Sequence, residues 1–117
     1  MKGVLVSIDI NGEMTVTEIT DPRLEYLQAG VGGGSIQLVP MFTTFDFRTI
    51  RWQCVAFCDE DGKNKGMPFN SVATRHWQQA LRNSGHPGLY DVHGELIDYL
   101  VGKIAIVWGD DAFMREL

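Results

Sequence analysis

The sequence is short of cysteine, of clustered positive charge and of long apolar runs, and each shortage removes a class of protein. Two cysteines occur among 117 residues, Cys54 and Cys58. Four positions apart in a strand-like segment, they would stand about 13 Å apart on one face, too far to bridge one another. A zinc half-site would use a tighter pair on a turn, so both read as reduced core thiols. Ten Lys and Arg are scattered among fifteen Asp and Glu, for a formal net charge of −5. A surface that tracks a phosphate backbone needs clustered cations, so general nucleic-acid binding is not expected. A small basic pocket stays open, because net charge does not describe a single site.

No apolar run approaches the roughly 20 residues of a membrane span. Met1-Lys2 leads directly into an alternating segment with Val4, Leu5 and Val6, which is no apolar targeting core. The expectation is a cytoplasmic protein without a membrane partner. What is present is ordinary globular material, 44% hydrophobic and 21% charged. That composition suits one domain over residues 1–117 with a real core.

Residues 3–10 and 14–19 alternate apolar and polar around Asn11-Gly12, which predicts a hairpin with a tight type I′ turn and a bulge near Asp9. In DPRLEYLQAG (21–30), Asp21 reads as N-cap, Pro22 as first helical residue and Gly30 as terminator. Leu24, Leu27 and Ala29 form its apolar side. Gly32, Gly33 and Gly34 then release the chain into a third strand, SIQLVP. A phosphate-cradling loop runs from strand to helix, the reverse order, so the glycines read as a connector.

Residues 41–49 are rich in Phe and Thr and read as a hairpin arm or a sheet cover, with their aromatics in the core. A single strand is predicted over 50–58, apolar on both faces. Asn70 to Arg82 forms the main helix, capped by Asn70 or Ser71, with Val72, Ala73, Trp77, Ala80 and Leu81 as its stripe. Thr74, Arg75, Gln78, Gln79 and Arg82 are left for solvent or a ligand. A short helix over 95–101, a final strand over 103–108 and a tail complete the chain. The fold class is α+β: a mainly antiparallel sheet of about five strands, one main helix and one or two short ones.

With the segments laid out, the chain resembles a family of short domains of unknown function common in bacteriophages, prophages and other mobile elements. LQAGVGG (27–33) with Ile36, DEDGKNKGMPFN (59–70) with Ala73 and Thr74, and VGKIAIVWGD (101–110) carry the likeness. In the family these are a helix-to-strand glycine pair, an acidic turn followed by Gly-x-Pro-x-Asn, and a closing glycine-then-strand unit. Residues 41–50 and 84–94 look like variable loops. The resemblance implies a phage-type accessory protein, in a setting where such proteins counter host defence. A physically sensible member of that class is a sponge that sequesters a nucleotide-derived immune signal, in the host cytoplasm, without cleaving it.

The residues allow such a site. The start of the main helix offers free amides and the positive end of its dipole to a phosphate at Asn70, Ser71 and Val72. Lys63, Lys65 and Arg75 add positive charge, Asn70 and Thr74 could read polar edges, and Trp52 or Trp77 could stack on a base. The same residues also serve as an N-cap, a turn and core, which needs no ligand.

No nucleophile motif surrounds His76, His86 or His93, and the adjacent Asp59, Glu60 and Asp61 lack the spacing of a calcium loop. The expectation is therefore a binder with no metal and no cofactor, with a small nucleotide-processing enzyme as one alternative. Another is an inhibitor that docks on a host protein or mimics DNA through its acidic residues. Small size and the aromatic-rich 41–52 region point to a homo-oligomer.

Overall fold

A computed structural model describes residues 2–117. In chain order the elements are β1 (Gly3–Ile8), β2 (Met14–Ile19), α1 (Leu24–Gly30), β3 (Ile36–Leu38), β4 (Thr44–Phe47) and β5 (Ile50–Gln53). They continue as β6 (Val55–Asp59), α2 (Ser71–Asn83), β7 (Ile104–Gly109) and α3 (Asp111–Arg115). The main sheet has the order β2-β1-β7-β6-β3, and each neighbouring pair is antiparallel. β4 and β5 make a separate two-stranded sheet. The protein is α+β with a five-stranded antiparallel sheet, as its sequence predicts.

Both faces of the sheet are covered. Val6, Ile8, Ala56, Ile104, Ile106 and Trp108 pack beneath α2, against Ala73, Trp77, Ala80 and Leu81. Leu5, Ala105 and Val107 face the other way, toward Leu27 and Val31 of the α1 region and Phe113 of α3. β7 lies at the centre and its residues 104–108 are buried whichever way they point, which accounts for the unbroken apolar run IAIVW. The segment after it is a helix and no loose tail. Asp110 caps α3 by accepting the Phe113 amide, and the Phe113 ring is fully buried. A methyl group at Gly3 or Gly109 would overlap that ring, so these glycines let α3 close the sheet end. Burying a phenylalanine this completely contributes about 2–3 kcal/mol.

The type I′ turn predicted at Asn11-Gly12 is not formed there. At Asn11-Gly12 only the glycine is left-handed (φ 84°), and Asp9 bonds to Glu13 and Gly12 across the loop. This is a three-residue turn with its bulge at Gly12–Glu13, opposite Asp9, in place of the predicted type I′. The type I′ pattern appears instead between β4 and β5, where Arg48 (φ 50°) and Thr49 (φ 68°) are both left-handed. A β-branched residue is strained there. The Thr49 hydroxyl donates to the Arg48 carbonyl at 2.6 Å, and the Arg48 guanidinium lies 4.8 Å from the centre of the Phe47 ring.

Three further expectations are corrected. α1 starts at Leu24 with Arg23 at the cap position and no side-chain cap; Asp21 pairs with Arg23, and Leu24 and Ala29 are exposed. The strand predicted over 50–58 breaks at Cys54, because residues 39–43 of the opposing chain face only 54–56. The extra length bulges at Pro40-Met41 and turns the β4–β5 hairpin off the sheet, so that Phe45, Phe47 and Trp52 pack on Trp108. The aromatics of this region are thus core, covered by their own chain: Phe42 and Phe45 are buried, Phe47 and Trp52 half-buried. Finally, residues 95–101 form no helix; Tyr90 and Leu96 bridge, with a turn at 91–94 between them.

Candidate functional site

The start of α2 is fixed by a buried clasp. Asn70 is fully buried, and its Nδ2 donates to the carbonyls of Ile8 (3.0 Å) and Gly102 (2.8 Å). Its Oδ1 accepts the Ala73 amide at 3.0 Å, its own N–H donates to Leu100 and its carbonyl accepts from Thr74. Each polar group of Asn70 therefore has a partner inside the protein, and none is left over for a ligand edge. Thr74 is also buried, not exposed as predicted, and its hydroxyl accepts the Leu100 amide at 2.9 Å. Phe69 bridges Val101 and Gly102 donates to Pro68, so segments 68–70 and 100–102 run together as a short ribbon.

Outward of this clasp lies a groove of about 290 Å³. Ser71, Arg75 and Gln78 stand at i, i+4 and i+7 along α2 and line it in one file. Phe69 (49% exposed) and Tyr90 (53% exposed) line it too, with Leu89 and the edge of Thr74. The amides of Ala73 and Thr74 are taken by Asn70, which leaves those of Ser71 and Val72 without a protein acceptor among the described residues. Arg75 is exposed and has no acidic partner among the described residues. Cation, hydroxyl and helix start together favour an anion here.

The lysines fall on the other side of the ribbon. Lys63 Nζ sits 2.6 Å from Asp98 Oδ1 and 4.5 Å from the centre of the Tyr99 ring, which in turn packs edge-on against Phe69. Lys63, Asp98 and Tyr99 border a second hollow of about 230 Å³, with Cys58 and Trp77 in its wall. Lys65 pairs at 2.9 Å with the buried carboxylate of Asp59. The lysine hydrogen bond, aided by the Asp61 amide, holds the Asp59 carboxyl below its usual range, and the carboxylate raises Lys65 in return. A side chain at Gly34 would overlap Asp59, and Glu60 donates to the Ser35 carbonyl. The glycine run and the acidic turn are therefore one structural joint, and Asp59, Glu60 and Asp61 do not present a row of carboxylates.

Of the predicted site residues, Ser71, Thr74 and Arg75 share the α2 groove, Lys63 and Lys65 are paired with acids beside the second hollow, and Asn70 is internal. Trp52 lies apart, stacked on Trp108 at 5.5 Å, and lines neither hollow; its Nε1 is buried and has no hydrogen-bond partner among the described residues. Sequence reasoning missed Tyr90 and the exposure of Phe69. The i, i+4, i+7 file of Ser71, Arg75 and Gln78 was readable; the loop that brings Tyr90 alongside was not.

His76 packs its ring against Phe45 at 4.9 Å, and burial, with the Arg75 charge beside it, pushes its pKa down. Among the described residues no three His, Cys, Asp or Glu side chains gather as a metal-ligand set, and no helix is long and apolar enough to cross a membrane.

Fold and groove together define a small α+β domain built around one antiparallel sheet, with a polar and aromatic groove along the first turns of its main helix. The chain belongs to the domain-of-unknown-function family DUF3846, whose model matches residues 1–114. No curated protein and no solved structure matches it.

Proposed function

We propose that this protein binds and sequesters a nucleotide-derived signalling molecule without converting it, acting in a host cell's cytoplasm as a phage-type accessory against host defence. The reading rests on one observation: Ser71, Arg75 and Gln78 stand in file along a groove that also exposes Phe69 and Tyr90. A phosphoryl group fits the helix start and Arg75, and a base fits against the aromatic rings. The site differs from the one expected from sequence, since Lys63, Lys65, Asn70 and Trp52 are engaged elsewhere. Assembly as a homo-oligomer belongs to the same proposal.

The test is to titrate the protein with a panel of mononucleotides, cyclic nucleotides and dinucleotides by calorimetry, then denature the complex and identify what is released. An unchanged nucleotide is the expected release; a converted product would favour an enzyme instead. Arg75→Ala is expected to weaken binding about tenfold or more while leaving the melting temperature unchanged. No binding across the panel would sink the nucleotide reading.

A second reading, docking on a host protein, draws on the 89–99 loop. Val92 is 95% exposed and Ile97 64% exposed, yet the loop is held in shape by Asp91, whose carboxylate accepts the amides of His93 and Glu95. Val92→Ser would abolish a protein contact and leave nucleotide binding unchanged.

A further inference from the structure

The two edges of the main sheet are finished differently. β3 spans three residues and stops before Pro40, a short and blunted edge. β2 spans six, MTVTEI, with no proline, glycine or lysine, and Thr15 through Glu18 are all exposed. Edges of that length and β-branched content are normally covered, because their free N–H and C=O groups template another strand.

The phase of the ladder tells which groups are free. Asp9 donates to the Glu13 carbonyl, so Ser7–Thr15, Leu5–Thr17 and Gly3–Ile19 are the hydrogen-bonded pairs of β1 and β2. The backbone groups of Met14, Val16 and Glu18 therefore point away from β1, toward the open edge.

We propose that β2 pairs antiparallel with β2 of a second copy about a two-fold axis at Val16, joining two five-stranded sheets into one. This register sets Met14 against Glu18 of the other copy, Val16 against Val16, and Glu18 against Met14. Three pairs each exchange two bonds, so every outward backbone group of β2 is used. A slip of two residues in either direction loses one of the three. On the opposite face Thr15 meets Thr17 of the other copy, a favourable non-hydrogen-bonded pair of β-branched hydroxyl residues. No carboxylate opposes another, since Glu18 faces Met14 and Glu13 faces Ile19. The backbone bonds would accept any extended strand; the side-chain register, with Thr15 on Thr17 and no carboxylate opposed to another, favours a second copy of β2 as the occupant. The proposal is independent of the groove along α2.

Sedimentation and light scattering at micromolar concentration are expected to give twice the 13.1 kDa chain mass. Val16→Pro removes an outward N–H that the monomer does not use, so the variant is expected to stay folded by circular dichroism and to become monomeric. A second pair of variants reads the register and tolerates any misfolding of the first. Thr15→Lys with Thr17→Lys sets like charges across the seam and is expected to give monomer; Thr15→Glu with Thr17→Lys sets opposite charges and is expected to retain the dimer. A monomeric parent protein, or an oligomer of the same mass in both double variants, overturns the proposal.

Discussion

Asn70 Nδ2 donates to the carbonyl of Ile8, sixty-two residues earlier in the chain, across 3.0 Å of fully buried space. With Gly102 on its other hydrogen, this one side chain ties the end of β1, the turn before β7 and the start of α2. Asn70→Ala therefore orphans the buried Gly102 carbonyl and the Ala73 amide, and takes from the Ile8 carbonyl the donor it has besides its β7 ladder bond. The expected loss is about 3–5 kcal/mol, well above the roughly 1 kcal/mol of a simple N-cap. Asn70→Asp keeps the cap and loses the donors, and should be as damaging. Urea unfolding measures both; a loss near 1 kcal/mol for the alanine variant would show that the clasp carries little.

The Arg48-Thr49 turn holds two side-chain-bearing residues where asparagine and glycine fit without strain. Replacing the pair by Asn-Gly is expected to stabilise the protein by about 1–2 kcal/mol. Thermal unfolding would show a rise of several degrees. A fall would mean that the Arg48–Phe47 contact outweighs the backbone relief.

Acid should loosen the joint at Asp59. Its carboxyl is held below the ordinary value of 3.8 by Lys65 first and the Asp61 amide next. The folded state thus binds protons less readily than the unfolded one. Its contribution is complete above pH 3.8 and disappears as pH falls through the lowered folded value. Lys65→Met should flatten the stability profile between about pH 2 and 4 relative to the parent. Equal slopes in denaturant melts across that range would exclude the pair as the source. On the alkaline side Lys65, raised above 10.5, contributes until it loses its proton.

The two thiols should be sluggish, and unequally so. Burial pushes Cys54 up to about 12, so at pH 8 it holds almost no thiolate. Cys58 is raised as well, by burial first and by the Asp59 charge next, but it borders the hollow beside Lys63 and Asp98. Timed alkylation with mass spectrometry is expected to label Cys58 slowly and Cys54 only on unfolding. Prompt double labelling of the folded protein would contradict this packing.

The parts of the fold legible in the sequence were those set by neighbours along the chain. Asn70 as a cap, the stripe of α2 and the apolar run of β7 all depend on local periodicity and hydrogen bonding. The break at Cys54 depends on a bulge fourteen positions away at Pro40, and the false helix at 95–101 yields to a bridge with Tyr90. No local pattern encodes either. The same limit applied to the site. Ser71 and Arg75 were visible as helix positions, whereas the partners that take Lys65 and Asn70 out of reach, Asp59, Ile8 and Gly102, are brought in by folding.

The order of strands in the sheet has a consequence for how the chain is made. β7 follows the other six strands in chain order, yet it sits in the middle of the main sheet, between β1 and β6. A chain emerging from a ribosome can form the β1–β2 hairpin and the bent ribbon of β3 to β6 early, but no strand pairs with both until residues 104–109 appear. Until then the two ribbons lack the strand that makes them one sheet, so closure of the main sheet waits for β7.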